Sequence, residues 1–573
     1  MIKPKGTLKN VIPYQMPEQS RMDKIRLDLN ESAWGCSDNV KRRLQDLTYD
    51  EISAYPEYDV LMKKLAKHYG LNEENILLSN GADDSIRCVF DTYLERDDEI
   101  IIPVPNYSMF DFFARIRGAN QVEIRYNDDF TYPVDAVLDH VNVRTKFIII
   151  VNPANPLGTV INRSDLIRIL KNAPNTMIFL DETYHHFMNE SYAHLIHEFE
   201  NLVITHTFSK IYGLAGLRLG VTLAQSHIIE NFNKINLPFA ANVAAVKAAE
   251  VAIDENDFVE DIVRKVNTEK KYLHENLKIL GYDPYDTKTN FFIVNMEDDS
   301  TKVHEKLKHK NILVKNLEHY PMLNGYLRIS IGRHEQNMKL LETLTPELMP
   351  EAIIFDMDGV LVDVTQSYRL AIQKTVEHFS GQGFNLDDID VYKSRGGYNN
   401  DWILTQAVLR DRGIDLDLAT VIDTFHGYYL GSNFDGLILN EEWLPEQNLL
   451  ENLSKSCKLG IFTGRPRLDA EFVLNRFNAT HYFSSIITLD ETPEDKGKPH
   501  PYGIQEAMKQ LDKTNAIYVG DTIDDMKSAV AANIVPIGIL HKDFELFHRR
   551  SLLRKNGARL ILPSVNELTG ILG

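Results

Sequence analysis

Short, strongly apolar runs recur along the chain and alternate with stretches of amphipathic, helical period. ILLS at 76–79, IIIPVP at 100–105, FIIIV at 147–151, MIFL at 177–180, LVIT at 202–205, AIIF at 352–355, LGIF at 459–462 and AIYV at 516–519 are each of strand length. Runs this uniformly apolar suit strands buried on both faces, as in parallel sheets flanked by helices. The pattern predicts α/β architecture in both halves, with ligand-binding groups just past the carboxyl ends of the strands.

Length divides the pattern. At 573 residues the chain exceeds what one hydrophobic core supports. PELMPEA at 346–352 carries two prolines after an amphipathic stretch, which places a boundary at about 347–350. The expected domains are therefore 1–347 and 351–573, the second interrupted at about 365–445 by helix-like sequence. Residues 1–30 read as an N-terminal arm.

Composition narrows the partners. Hydrophobic residues make up 43% and charged residues 25%, ordinary for a soluble globular chain. The balance of 62 basic against 82 acidic residues gives a net charge of −20, which disfavours nucleic-acid and anionic-membrane surfaces. Cys36, Cys88 and Cys457 have no metal-ligand spacing and read as reduced thiols in a cytoplasmic setting. The opening MIKPKGTLKN lacks an apolar h-region and no apolar run reaches about 18 residues, so neither export nor membrane spanning is expected.

In the first half the candidate chemistry collects at strand ends. LVITHTFSKIYGLAGLRLG at 202–220 delivers Ser209 and Lys210 into a glycine-punctuated turn that ends in Arg218. Thr207, Ser209 and Arg218 are groups that hold a phosphate, here beside an amine able to form an imine. ILLSNGADD runs from strand to glycine turn to helix, a form that offers unpaired N–H groups to an anion, although any α/β crossover shares it. Tyr107, Asn155, Asp181 and Lys210 occupy four such ends. Tyr55 before Pro56 lies on a loop, and Arg328 in GYLRISIG begins a strand where its fork suits a carboxylate or phosphate.

The stretches SNGAD, PNYSMF, NPANPLG, DETY, TFSKIYGLAGLRLG and YLRISIG, in this order over roughly residues 10–345, resemble fold-type I aminotransferases dependent on pyridoxal 5'-phosphate, nearest the histidinol-phosphate aminotransferase group. The resemblance implies a large and a small domain and assigns roles. Lys210 would bond the cofactor aldehyde and shuttle a proton, while Asp181 would keep the ring nitrogen protonated. Asn155 and Tyr184 would bond the ring oxygen, and Tyr107 would stack on the ring. The backbone of Ala82 and Asp83, with Ser209 and Arg218, would hold the phosphate. Tyr55 would reach it from a second subunit, implying a homodimer. Tyr14 and Arg328 would contact substrate, with glutamate as amino donor. Two departures lie near the substrate pocket: Lys315 stands where the group commonly shows arginine, and PYQMPEQSR lacks the usual glycine after PY.

The second half carries different groups. AIIFDMDGVLVD at 352–363 ejects Asp356 and Asp358 at a strand end, on one face if strand geometry persists. KLGIFTGRP adds Thr463, DKGKPHP adds Lys496 and Lys498, and AIYVGDTIDD adds Asp521, Asp524 and Asp525. A carboxylate nucleophile, an acid, a hydroxyl, a cation and oxygen ligands for Mg²⁺ are the parts that phosphoryl transfer needs.

The four motifs, in order over roughly residues 351–573, resemble phosphatases of the haloacid dehalogenase superfamily, with a Rossmann-like core. The resemblance implies that Asp356 attacks phosphorus, Asp358 protonates the leaving oxygen, and Thr463 and Lys498 bind the phosphoryl group. Asp356, Asp521 and Asp525, with the Asp358 carbonyl, would hold Mg²⁺; spacing alone leaves Asp524 able to replace Asp525. The insertion would be an α-helical cap, with Arg395, Tyr398 and Trp402 as candidate selectors. Together the halves suggest a bifunctional enzyme that makes histidinol phosphate from imidazole acetol phosphate and then removes its phosphate. Two alternatives are decarboxylation of a phosphorylated amino acid, as in the similar threonine-phosphate decarboxylases, and a second half that serves as a non-catalytic module.

Overall fold

The computed structural model describes residues 2–11, 13, 20–296, 300–345, 348–394, 400–540 and 546–572. It divides into two compact units, one of Met1–Leu277 with Tyr282–Leu344 and the other of Lys278–Gly281 with Thr345–Gly573.

The first unit holds strands β1 (Ile25–Leu27), β2 (Ile76–Ser79), β3 (Glu99–Val104), β4 (Asn120–Arg125), β5 (Thr145–Val151), β6 (Met177–Asp181), β7 (Leu202–Thr207), β8 (Gly220–Leu223), β9 (Asp283–Tyr285), β10 (Phe291–Asn295), β11 (Ile312–Asn316) and β12 (Tyr326–Ser330). Seven of them form a sheet in the order β2-β8-β7-β6-β5-β3-β4. Its neighbours run parallel except around β8, which is antiparallel to both β2 and β7. The expected parallel sheet is thus a mixed one. Every residue of β7 is buried, as its unbroken apolar run requires.

Helices cover this sheet, and aromatic packing joins the layers. Phe90, from the helix Ala82–Tyr93, lies 5.1 Å from Phe147 of β5; Phe110, from the helix Ser108–Arg117, lies 5.3 Å from Phe179 of β6. All four are fully buried in one cluster. The smaller sheet has the order β1-β11-β12-β10-β9, with β1 parallel to β11 and its other neighbours antiparallel. The N-terminal stretch read as an arm therefore ends as a strand of this sheet.

The second unit holds β13 (Ala352–Phe355), β14 (Val362–Asp363), β15 (Glu442–Trp443), β16 (Lys458–Phe462), β17 (Phe483–Ile487), β18 (Ala516–Gly520), β19 (Val535–Ile539) and β20 (Leu560–Leu562). Six form an all-parallel sheet, β17-β16-β13-β18-β19-β20. The chain reverses its direction of winding beside β13, and such a switch point is where open α/β sheets receive ligands. Residues 365–445 contain the helices Tyr368–Ser380, Leu386–Ser394, Asp401–Asp411 and Leu418–Tyr429. The two ends of this insertion pair with each other, Val362 with Trp443 and Asp363 with Glu442.

Phe90 is in ring contact with Phe110, Phe147 and Phe179. Phe90→Ala is expected to destabilise the first unit by about 3–5 kcal/mol, the usual loss for a buried phenylalanine. Urea unfolding followed by a probe confined to that unit measures it.

Candidate active sites

Both candidate sites are built past the carboxyl ends of parallel strands. In the first unit Asp181 is the last residue of β6 and Lys210 lies three residues beyond β7. Lys210 donates to the Leu29 carbonyl at 2.9 Å, with its Nζ 5.9 Å from the centre of the Tyr184 ring. It opens on a cleft lined also by Glu31, Trp34, Phe187, Ile262 and Ile331. Burial, reinforced by the charge of Arg328, lowers the Lys210 ammonium to about 8. Burial likewise pushes Asp181 up to about 6, although its Oδ1 accepts the Thr183 N–H at 2.9 Å.

A second cluster surrounds the start of the helix Ala82–Tyr93. Its N-cap is Gly81, with φ of 86° and no side-chain cap. The Arg218 guanidinium packs so closely on that glycine that a Cβ there would lie 2.5 Å from Nη2. Arg218 itself adopts a φ of 57° after the glycine-bearing turn. It bonds Asp83 Oδ2 at 3.0 Å, and the Tyr107 hydroxyl donates to Asp83 Oδ1 at 2.8 Å. Ser209 is buried beside Thr207, whose hydroxyl accepts the Ser209 N–H at 3.1 Å. The first-turn N–H groups of Ala82 and Asp83 precede the helix's own hydrogen-bond ladder.

A third group comes from the small sheet. Arg328 on β12 donates to Asn155 Oδ1 at 2.5 Å and to the Asp28 carbonyl at 2.6 Å, while its buried Nε has no partner. Lys315 is its cross-strand neighbour on β11, and burial followed by the Arg328 charge lowers the Lys315 pKa. Asn30 donates to the Tyr184 hydroxyl at 2.8 Å. The run LDLNES, which sequence reasoning left as part of an arm, thus supplies Asp28, Leu29 and Asn30 to the site. Its signal was a polar Asp-Leu-Asn-Glu sequence immediately after a strand.

Tyr55 stands apart from these groups: it is 76% exposed and stacks on the exposed Phe239 at 4.3 Å. Tyr14, Arg395 and Tyr398 lie outside the described residues.

Behind Asp181, the residues Glu182, His185 and His206 bring possible metal-ligand atoms within 4.8 Å of one another. The rings of His185 and His206 are stacked, however, 4.1 Å apart with 20° between their planes. An ion in the plane of one ring would lie over the face of the other. The cluster is instead a hydrogen-bonded core in which Glu182 accepts from Ser191, from the Tyr192 N–H and from His206. Burial lowers both imidazoles to about 3 and keeps them neutral.

In the second unit β13 ends at Phe355, so Asp356 and Asp358 belong to the following turn rather than to a continuing strand. Gly359 has φ of 70°, and a Cβ there would lie 2.4 Å from Asp521 Oδ2. Lys498 bridges Asp356 at 2.8 Å and Asp525 at 2.7 Å. Asp525 also accepts the Thr522 N–H at 3.0 Å, its hydroxyl at 2.7 Å and the Tyr518 hydroxyl at 3.1 Å. Burial works upward on Asp525, but Lys498 and these donors outweigh it and hold the group below the usual carboxylate range. Asp356 lies well above that range, because burial and the neighbouring Asp525, Asp358 and Asp521 overcome Lys498.

Asp356, Asp521 and Asp525 present oxygens within 4.8 Å of one another, and Asp524 is not in that set. These three carboxylates, the raised Asp356 among them, form an all-oxygen donor set, which suits a hard divalent cation. Thr463 is buried at the end of β16, and its hydroxyl accepts the Arg465 N–H at 3.3 Å. Lys496 points instead to Tyr502, 5.2 Å from the ring centre. Trp402 packs edge-on to His426 at 5.3 Å in the insertion, and its indole N–H is buried without a partner. Arg465 escaped the sequence reading. Its signal was an arginine held between Gly464 and Pro466, two residues after Thr463.

Residues 22–344 match the family model described as aminotransferase class I and II. The chain belongs to that family. Residues 353–539 match the model described as haloacid dehalogenase-like hydrolase, so a hydrolase-like domain follows the aminotransferase in one enzyme chain. Relatives of the aminotransferase part include the histidinol-phosphate aminotransferase of Clostridium novyi, 30% identical over 59% of this chain and 95% of its own length. That of Bacillus licheniformis is 32% identical over 60% of this chain and 99% of its own. Among solved structures, histidinol-phosphate aminotransferase from Sinorhizobium meliloti in complex with pyridoxal-5'-phosphate shares the fold, with TM-score 0.55 and 22% identity over 60% of this chain and 98% of that one. The L-threonine-O-3-phosphate decarboxylase of Porphyromonas gingivalis also shares the fold, with TM-score 0.50 and 22% identity over 56% of this chain and 98% of that one. Among the described residues of this enzyme, no helix is long and apolar enough to cross a membrane.

With its ammonium lowered to about 8, Lys210 should react with an amine-directed label half-maximally near pH 8, whereas exposed lysines do so above about 10. Competitive labelling over a pH series, read by mass spectrometry, measures the difference.

Proposed function

We propose that the chain is a bifunctional cytoplasmic enzyme, with an aminotransferase domain at residues 1–347 and a phosphatase domain at residues 351–573. The first would transfer an amino group from glutamate to imidazole acetol phosphate, giving histidinol phosphate. The second would hydrolyse that ester. The observation that carries the first half is a half-buried Lys210, lowered to about 8, near a buried Asp181, raised to about 6. The names of the relatives support the substrate.

The residues fit pyridoxal phosphate. A buried carboxylate short of positive charge suits a protonated ring nitrogen, and an uncapped helix start beside Arg218 suits a phosphate. When bound, the cofactor supplies an electrophilic aldehyde and a ring that accepts electrons. Lys210 would hold and move the proton at the substrate α-carbon. Asp181 would keep a proton on the ring nitrogen. Asn155 and Tyr184 would orient the ring oxygen, and Tyr107 would cover the ring face. Ala82 and Asp83 N–H groups, Ser209 and Arg218 would bind the phosphate. Arg328, with Tyr14, would bind the substrate anion.

Tyr55 would complete the phosphate site of a second copy. The exposed Tyr49, Ile52, Leu237 and the stacked pair Tyr55 and Phe239 support a homodimer.

In the second half Asp356 would attack phosphorus, and Asp358 would protonate the leaving oxygen and then activate water. Thr463 and Lys498 would hold the phosphoryl oxygens. The carboxylates of Asp356, Asp521 and Asp525, with the Asp358 carbonyl, would hold Mg²⁺, whose charge would relieve the crowding of acids.

Full-length protein given imidazole acetol phosphate, glutamate and Mg²⁺ should form histidinol and phosphate. Lys210→Ala should lower amino transfer by at least ~10²-fold while leaving hydrolysis of added histidinol phosphate intact. Asp356→Asn and chelation of Mg²⁺ should each do the reverse. Carbon dioxide release without an oxo acid would favour decarboxylation instead.

A further inference from the structure

Arg465 is among the largest fully buried side chains of the described residues, and it lies at the junction of the hydrolase core with its helical insertion. On the core side it meets Asp358, with Nε at 2.7 Å and Nη2 at 2.5 Å from Oδ1. On the insertion side it meets Glu441, with Nη1 at 3.0 Å from Oε2 and Nη2 at 3.1 Å from Oε1. Nη1 also reaches the Tyr429 hydroxyl at 3.2 Å, and the guanidinium lies 5.0 Å from the centre of the Tyr368 ring. Tyr368 and Tyr429 come from insertion helices and stack on each other at 4.2 Å. Glu441 precedes β15, the returning stem, and also accepts from Ser367 at 2.9 Å.

A planar five-donor fork can give two N–H bonds to each of two carboxylates and still reach a hydroxyl, more bonds than the three donors of an ammonium supply. We propose that Arg465 is a positioning residue that fixes the Asp358 carboxylate to the seated cap, so that the acid is in place only when the insertion is docked. The proposal rests on the phosphatase reading above and deepens it. A proton donor displaced by about 1 Å loses much of its effect, so the arginine acts on the leaving-group step rather than on phosphate capture.

The test uses full-length protein with Mg²⁺ and two classes of ester. p-Nitrophenyl phosphate has a leaving group that departs without a proton; the alkyl phosphomonoester turned over fastest from a panel containing histidinol phosphate has one that needs it. Arg465→Met is expected to slow the alkyl ester by about 10²-fold or more and p-nitrophenyl phosphate by much less. Glu441→Gln should shift the same ratio in the same direction, and Arg465→Lys should restore part of it. If circular dichroism shows that Arg465→Met does not fold, the ratio in the other two variants decides. Equal slowing of both esters, or no slowing, overturns the proposal. Failure of the unaltered enzyme to hydrolyse either ester removes the phosphatase reading itself, and the proposal with it.

Discussion

Taking a charged side chain out of water costs several kcal/mol per ion, and each half of this chain places such groups past the ends of parallel strands. Lys210 and Asp181 do so in the first unit; Asp356, Asp525, Lys498 and Arg465 do so in the second. The sheets make this placement possible. Fully buried strands hold the backbone rigidly, and the turns that follow are free of ladder hydrogen bonds, so their polar groups can face a ligand.

The two units meet the cost differently. In the first, the ions are separated: burial lowers Lys210 and raises Asp181, so both move toward their neutral forms. A group poised in this way can take up or release a proton near neutral pH. In the second, the ions are paired directly. Lys498 is held above its usual range because Asp356 and Asp525 outweigh burial, and Arg465 is enclosed by acids and aromatic rings. The first arrangement favours proton movement, and the second favours fixed charge.

Much of this was legible in the linear pattern. Apolar runs ending in Asp181, Lys210, Asp356 and Thr463 identify strands and name their terminal groups, because strand burial and side-chain chemistry are both local properties. The antiparallel course of β8 was not legible, since Gly220–Leu223 reads the same in either direction. Nor were the partners of Lys210 and Arg328 among residues 28–30, which depend on contacts far apart in sequence. Asp356 and Asp358 were expected on one face of a continuing strand, whereas β13 stops at Phe355 and both lie in the turn that follows, with Gly359. Arg465 was missed because its partners, Asp358 and Glu441, are 107 and 24 residues away.

The paired stems β14 and β15 have a consequence for how this enzyme can change. Because entry and exit of the insertion lie side by side, its length alters the sheet little, and each doubling of such a loop costs only about 0.6 kcal/mol. The insertion is therefore a replaceable module from the standpoint of the sheet, and the buried arginine beneath it sets the limit. A transplanted segment would have to bring its own carboxylate and phenol to that guanidinium, or leave a charge stranded at the seam.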